Sequence, residues 1–123
     1  MNTTQKHLLR LVLSCRKITA QVTNPSTDSI VAMASSSELE FMQQYRSKLN
    51  RYPRSHHYWD SHVASRIGDK LGLRLKQIGI SFVFIRVEEE VSRPVYYRKM
   101  VSPFFQSVQR AGIDVEGVGE IGF

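Results

Sequence analysis

Residues 10–22 (RLVLSCRKITAQV) constrain the fold more than any other stretch of this chain. Leu9, Leu11 and Leu13 alternate on one side of a first segment, and Ile18, Ala20 and Val22 alternate on a second. Period two is the pattern of half-buried strands, whereas a helix needs spacings of three and four. Cys15, Arg16 and Lys17 sit between the segments, which leaves room only for a tight, basic hairpin turn. The chain therefore starts by building an antiparallel sheet.

The next residues extend that sheet. Residues 23–29 (TNPSTDS) carry strong turn chemistry, and 30–35 (IVAMAS) form a small apolar third strand, so the first three strands make an antiparallel meander. Residues 60–78 read as a helix. Val63, Ile67, Leu71, Leu75 and Ile78 lie on one stripe, Asp60 or Ser61 caps the start, and Gly79 ends it. Gly68 and Gly72 inside it each cost about 1 kcal/mol relative to alanine, which points to close packing against the sheet. Arg66, Lys70 and Arg74 recur on another face, expected to be solvated. Residues 81–87 (SFVFIRV) are nearly all apolar, as in a central strand covered on both faces. Glu88, Glu89 and Glu90 are expected to form a solvated acidic turn. Ser102 and Pro103 suit the start of a second helix, Ala111-Gly112-Ile113 closes it, and Ile113, Val115 and Val118 suggest a last strand. The expected fold is one α/β domain over residues 1–123. Its mixed sheet has an N-terminal antiparallel three-strand meander, then helix, strand, helix and a last strand, with two helices packed on the sheet.

The same residues carry a resemblance. Residues 14–22 (SCRKITAQV) resemble the turn-and-strand block of the large-subunit ribosomal protein L-eighteen family, the 5S rRNA binders, in which a basic turn leads into an I-Y-A-Q-V strand. The similarity continues in chain order. Residues 30–35 stand where the family's third strand reads like T-L-A-S-A-S-T, and 77–80 (QIGI) stand at the K-G-I exit of its first helix. Phe84 and Arg86 match a V-V-F-D-R strand, with Ile85 in place of the family acid and Val87-Glu88-Glu89 in place of its glycine pair. Tyr97 and Val101 match a loop reading Y-x-Y-H-G-R-V, in which Arg98-Lys99 replaces His-Gly and keeps the basic character. Ala111, Gly112 and Ile113 match E-A-G-L. Two departures stand out. Bacterial members carry a long basic N-terminal arm that is short here, and residues 41–59 expand a shorter connection.

The resemblance implies a non-enzymatic structural constituent of the large ribosomal subunit that binds 5S rRNA and helps attach it in the central protuberance. Its partners would be 5S rRNA, large-subunit rRNA and neighbouring large-subunit proteins, with no cofactor and no membrane. The RNA-facing residues would come from the hairpin and adjoining loops: Arg10, Arg16, Lys17, Arg86, Arg93, Tyr97, Arg98 and Lys99. Charge agrees, since a net +6 and an isoelectric point of about 9.8 favour an acidic partner. Within 41–59, Arg46, Lys48, Arg51 and Arg54 occur without an acid and are interleaved with Tyr52, Tyr58 and Trp59. Cations meet phosphates and rings stack on unpaired bases, so this segment reads as an added RNA-facing arm that orders on RNA. The first 27 residues contain no Asp or Glu, a composition similar to an organelle transit peptide, although the same residues alternate as strands. Together with the altered family loop, this suggests a mitochondrial ribosome of a plant-like lineage, with plastid or bacterial ribosomes as the alternatives.

Other chemistry finds little support in the residues. One cysteine excludes an intramolecular disulfide. Cys15 and His7 offer a nucleophile with no placed base, and His56, His57 and His62 lack the further ligands and fixed geometry of a metal site. No phosphate-cradling glycine loop and no membrane-length apolar run occurs. The alternatives to the ribosomal reading are a small α/β nuclease-like enzyme using the glutamate run and a non-ribosomal RNA-binding adaptor.

Overall fold

The computed structural model describes residues 7–14, 16–38 and 59–121. The N-terminal alternation becomes a hairpin. β1 (His7–Leu13) pairs antiparallel with β2 (Ile18–Asn24), which sets Leu9 opposite Val22, Leu11 opposite Ala20 and Leu13 opposite Ile18. β3 (Ser29–Ser35) adds antiparallel to β2, with a register shift between Val22 and Thr23. The turn between them is held by Asn24, whose carbonyl accepts from Thr27 and Asp28 N–H.

After β3 the chain crosses over through α1 (Ser61–Gln77) to β4 (Phe82–Phe84), then through a short α2 (Val87–Val91) and α3 (Val95–Arg110) to β5 (Asp114–Glu116). β4 lies parallel beside β1, and β5 parallel beside β4, giving the sheet order β3-β2-β1-β4-β5. Only β2 runs against the rest. Asp60 caps α1 by accepting Val63 N–H at 3.0 Å. Both long helices leave by the same device. At Gly79 (φ +84°) and Gly112 (φ +99°) the chain turns left-handed, a conformation that costs glycine little. Gly79 and Ile80 N–H then donate to Lys76 and Leu75 carbonyls, and Gly112 and Ile113 N–H to Gln109 and Val108 carbonyls. Each exit places an isoleucine just ahead of a parallel strand.

One face of the sheet carries the core. Leu9, Leu11, Ile18, Ala20, Val22, Ala34, Val83 and Val115 meet Val63, Ile67, Leu71 and Leu75 of α1 and Val101, Phe104, Phe105 and Val108 of α3. The two helices touch more closely than apolar side chains would allow. A Cβ on Gly68 would collide with the Phe104 carbonyl oxygen and lie 2.9 Å from Ser107 Cβ, and one on Gly72 would lie 2.5 Å from Ala111 Cβ. The glycines thus serve helix-on-helix contact and not the helix-on-sheet contact expected from sequence. Ser65 and Ser107 hydroxyls share a hydrogen bond of 2.7 Å across the same seam.

Several boundaries differ from the expectation. β4 is three residues long, because Arg86 already begins the turn into α2, so the apolar run 81–87 is not one strand. Glu88, Glu89 and Glu90 are helical, and Glu90 is buried. α3 starts at Val95, so Tyr96 to Val101 form its first turns and not a loop, and Pro103 lies inside it. The apolar face of α3 runs through Met100, Val101, Phe104, Phe105 and Val108 on both sides of Pro103, and its burial outweighs the backbone bond that proline omits. Val118 falls in a single 3₁₀ turn (Val118–Glu120) after β5.

Arg74 is not simply solvated either. Its guanidinium grips Glu38 through Nη1 at 2.9 Å and Nη2 at 2.6 Å, and also donates to the Met33 carbonyl at 2.6 Å. The Arg74 hydrogen bonds hold the Glu38 carboxyl below its ordinary value of 4.5; the Ser35 N–H and the charges of Arg74 and Lys70 help, while partial burial opposes them. A depressed folded-state pKa gives stability that is complete above the unfolded value and is lost as pH falls through the folded one.

Two predictions follow from the packing and this pair. Gly68→Ala should lower unfolding free energy by about 1–3 kcal/mol in urea titration, overpacking outweighing the helix-propensity gain. Gly119→Ala, with nothing within 4 Å of the added carbon, should stay within about 0.5 kcal/mol of the parent. The stability lost by Glu38→Gln, about 1–2 kcal/mol at neutral pH, should shrink as titrations are repeated below pH 4.5.

Candidate nucleic-acid interface

β1, β3, β4 and β5 share one direction, so their carboxyl ends lie together at one end of the sheet. The β1–β2 turn, the α2 segment and the start of α3 all belong to that end. In open α/β sheets this is where crevices for ligands form.

A short chain of contacts ties the turn to α3. Ser14 Oγ accepts the N–H groups of Arg16 at 3.2 Å and Lys17 at 3.1 Å, which folds the turn tightly. The Trp59 indole N–H donates to the Ser14 carbonyl at 2.7 Å. The Trp59 ring stacks on Tyr97 with centroids 6.1 Å apart, and Tyr97 meets Tyr96 edge-on at 5.8 Å. Arg16 and Lys17 are thereby brought to the same end as Arg98 and Lys99, far apart in sequence. Lys17 and Lys99 are exposed and form no ion pair among the described residues. Arg98 Nε is buried and has no hydrogen-bond acceptor among the described residues. A buried donor left unsatisfied costs about 1–3 kcal/mol.

On the α2 side the cations are already engaged. Arg10 Nε and Arg86 Nη1 share the Glu89 carboxylate at 3.3 and 3.5 Å. All three groups are substantially exposed, and such pairs exchange readily for other anions. Arg93 differs. It donates to both oxygens of Glu90, at 3.1 and 3.3 Å, and to the Leu11 carbonyl at 2.7 Å. β4 pairs with β1 only at His7 and Leu8, so beyond them the strands diverge and Arg93 supplies a donor in place of a strand. A cleft of about 410 Å³ opens at this divergence, lined by Arg10, Leu11, Val12, Leu13, Glu89, Ser92 and Arg93. A neighbouring hollow of about 350 Å³ is edged by Glu88, Glu116 and Glu120 together with Arg86.

No family model matches this chain. No curated protein matches it significantly either. Among the described residues, no three His, Cys, Asp or Glu side chains are grouped to hold a metal ion, and no helix is long and apolar enough to cross a membrane.

The sequence-derived candidates therefore divide. The Arg16–Lys17 turn is linked through Ser14, Trp59 and Tyr97 to the start of α3, which carries Arg98 and Lys99, while Arg10 and Arg86 meet separately at Glu89. Arg93 is a structural clip, its Nε and Nη2 engaged by Glu90 and the Leu11 carbonyl. Trp59 is fully buried, 0% exposed, because its indole completes the core over Ser14; it positions Tyr97 and does not offer a face to a base. Arg46, Lys48, Arg51, Tyr52, Arg54 and Tyr58 lie outside the described residues. Sequence reading missed Tyr96, 54% exposed beside Lys99 on the first turns of α3. The Tyr-Tyr pair was the available signal, but only Tyr97 matched the family block.

Arg93→Ala should cost about 2–4 kcal/mol in chemical denaturation, since it leaves Glu90, whose side chain is 5% exposed, without its cation. Lys99→Ala should stay within about 0.5 kcal/mol.

Proposed function

We propose that this protein is an RNA-binding structural component of a large ribosomal subunit, seated on 5S rRNA and contacting large-subunit rRNA and neighbouring proteins. The observation that carries the reading is the link, through Ser14, Trp59 and Tyr97, between the turn that bears Arg16 and Lys17 and the start of α3 that bears Arg98 and Lys99. Lysine and arginine side chains held on a rigid frame suit phosphates, and Tyr96 gives an exposed ring for an unpaired base. Residues 41–59 supply a net +4 of the total +6, so an acid-free stretch carries most of the attraction for a polyanion. The collinear resemblance to the L-eighteen family supplies the choice of 5S rRNA over other RNAs. The proposed compartment is an organelle, a mitochondrial ribosome first, on the acid-free N-terminal composition.

The test is binding of the full chain to 5S rRNA across a salt series. Each phosphate contact contributes about 0.9 to the log–log slope for duplex nucleic acid. The paired variants Arg16→Ala/Lys17→Ala and Arg98→Ala/Lys99→Ala should each weaken binding and flatten that slope by about 1–2. Salt-independent affinity, or equal affinity for unrelated RNA, counts against the reading. Co-sedimentation with large subunits separates a ribosomal component from a free RNA-binding adaptor. A tagged full-length protein confined to the cytosol removes the organellar part.

A further inference from the structure

Among the described residues β3 is an edge strand, with its outer side unpaired in the sheet. Ser36 N–H donates to the Ile18 carbonyl, and Ala34 stands opposite Ala20, so at this end of β3 Ala34 and Ser36 turn their backbone groups toward β2. Met33 and Ser35 consequently turn theirs outward. A row of outward backbone groups is a template on which another strand can pair.

Here three groups of that row are met from within the chain. Arg74 Nη1 donates to the Met33 carbonyl at 2.6 Å, Glu38 Oε2 accepts the Ser35 N–H at 2.8 Å, and the Glu38 N–H donates to the Ser35 carbonyl at 3.1 Å. The two side chains are fixed to each other by a two-pronged ion pair, so each keeps the other on the edge. β3 itself carries none of the usual protection. Its seven residues, SIVAMAS, include no charge and no proline, and Ile30 and Met33 are 54% and 45% exposed.

We infer that the Glu38–Arg74 pair is a plug on a latent pairing edge, and that the strand it shuts out is β3 of a second copy of this chain. An uncharged strand meets its own antiparallel copy without like-charge repulsion, and two-fold pairing lets one edge serve both partners. The plug is independent of RNA binding and stands or falls without it.

The experiment compares the full-length parent with Glu38→Ala/Arg74→Met by size-exclusion chromatography with light scattering, circular dichroism reporting the fold. The parent should run as a monomer and the double variant at twice that mass or more. Hydrogen exchange should show Met33 and Ser35 amides gaining protection on association. Adding Met33→Lys, which puts a charge on the exposed edge, should restore the monomer. If the double variant loses its fold, Arg74→Met alone carries the same comparison, since it frees the Met33 carbonyl. A folded, monomeric variant overturns the inference. So does association that Met33→Lys does not reverse, or a parent already paired through β3.

Discussion

The approach of α1 to α3 through Gly68 and Gly72 is the constraint on which the rest of the molecule depends. It lets two helices share one sheet face of five strands, and it sets α3 deep enough for Phe104 and Phe105 to be fully buried. With α3 fixed there, Tyr97 comes within stacking distance of Trp59, and Trp59 in turn reaches the Ser14 carbonyl. A backbone-level contact at the middle of the helices thus determines where the basic groups at one end of the sheet stand.

Those basic groups do not act alike. Arg93 and Arg74 each donate to a carboxylate and to a backbone carbonyl at a strand margin, so they hold the sheet. Arg10 and Arg86 share one exposed glutamate and stand ready to trade it. Lys17 and Lys99 point outward without a counter-charge among the described residues. Net charge treats these six as equal; their surroundings make two structural, two exchangeable and two available.

Much of the architecture was legible in the sequence, because the strongest patterns are local. The hairpin followed from Leu9-Leu11-Leu13 against Ile18-Ala20-Val22, and α1 from its cap, its stripe and Gly79. The failures came where tertiary burial overrode local punctuation. Pro103 reads as a helix start, yet the stripe from Met100 to Val108 carries the helix straight through it. The glutamate run reads as a solvated turn, yet Glu90 is buried with Arg93 as its partner. Trp59 reads as a stacking ring because composition reports its aromaticity and not its burial. The candidate interface was legible in its residue types, whereas its convergence depends on crossover connections that no local pattern encodes.

Pro103 has a mechanical consequence. It has no N–H to offer the Lys99 carbonyl, so the ladder of α3 is interrupted between its first turns and its buried part. Below the break, Phe104, Phe105 and Val108 anchor the helix in the core. Above it lie Tyr96, Tyr97, Arg98 and Lys99. The gap in the ladder is spanned by burial on both sides, Met100 and Val101 ahead of Pro103 and Phe104, Phe105 and Val108 beyond it, so side-chain packing holds α3 together where a backbone bond is missing.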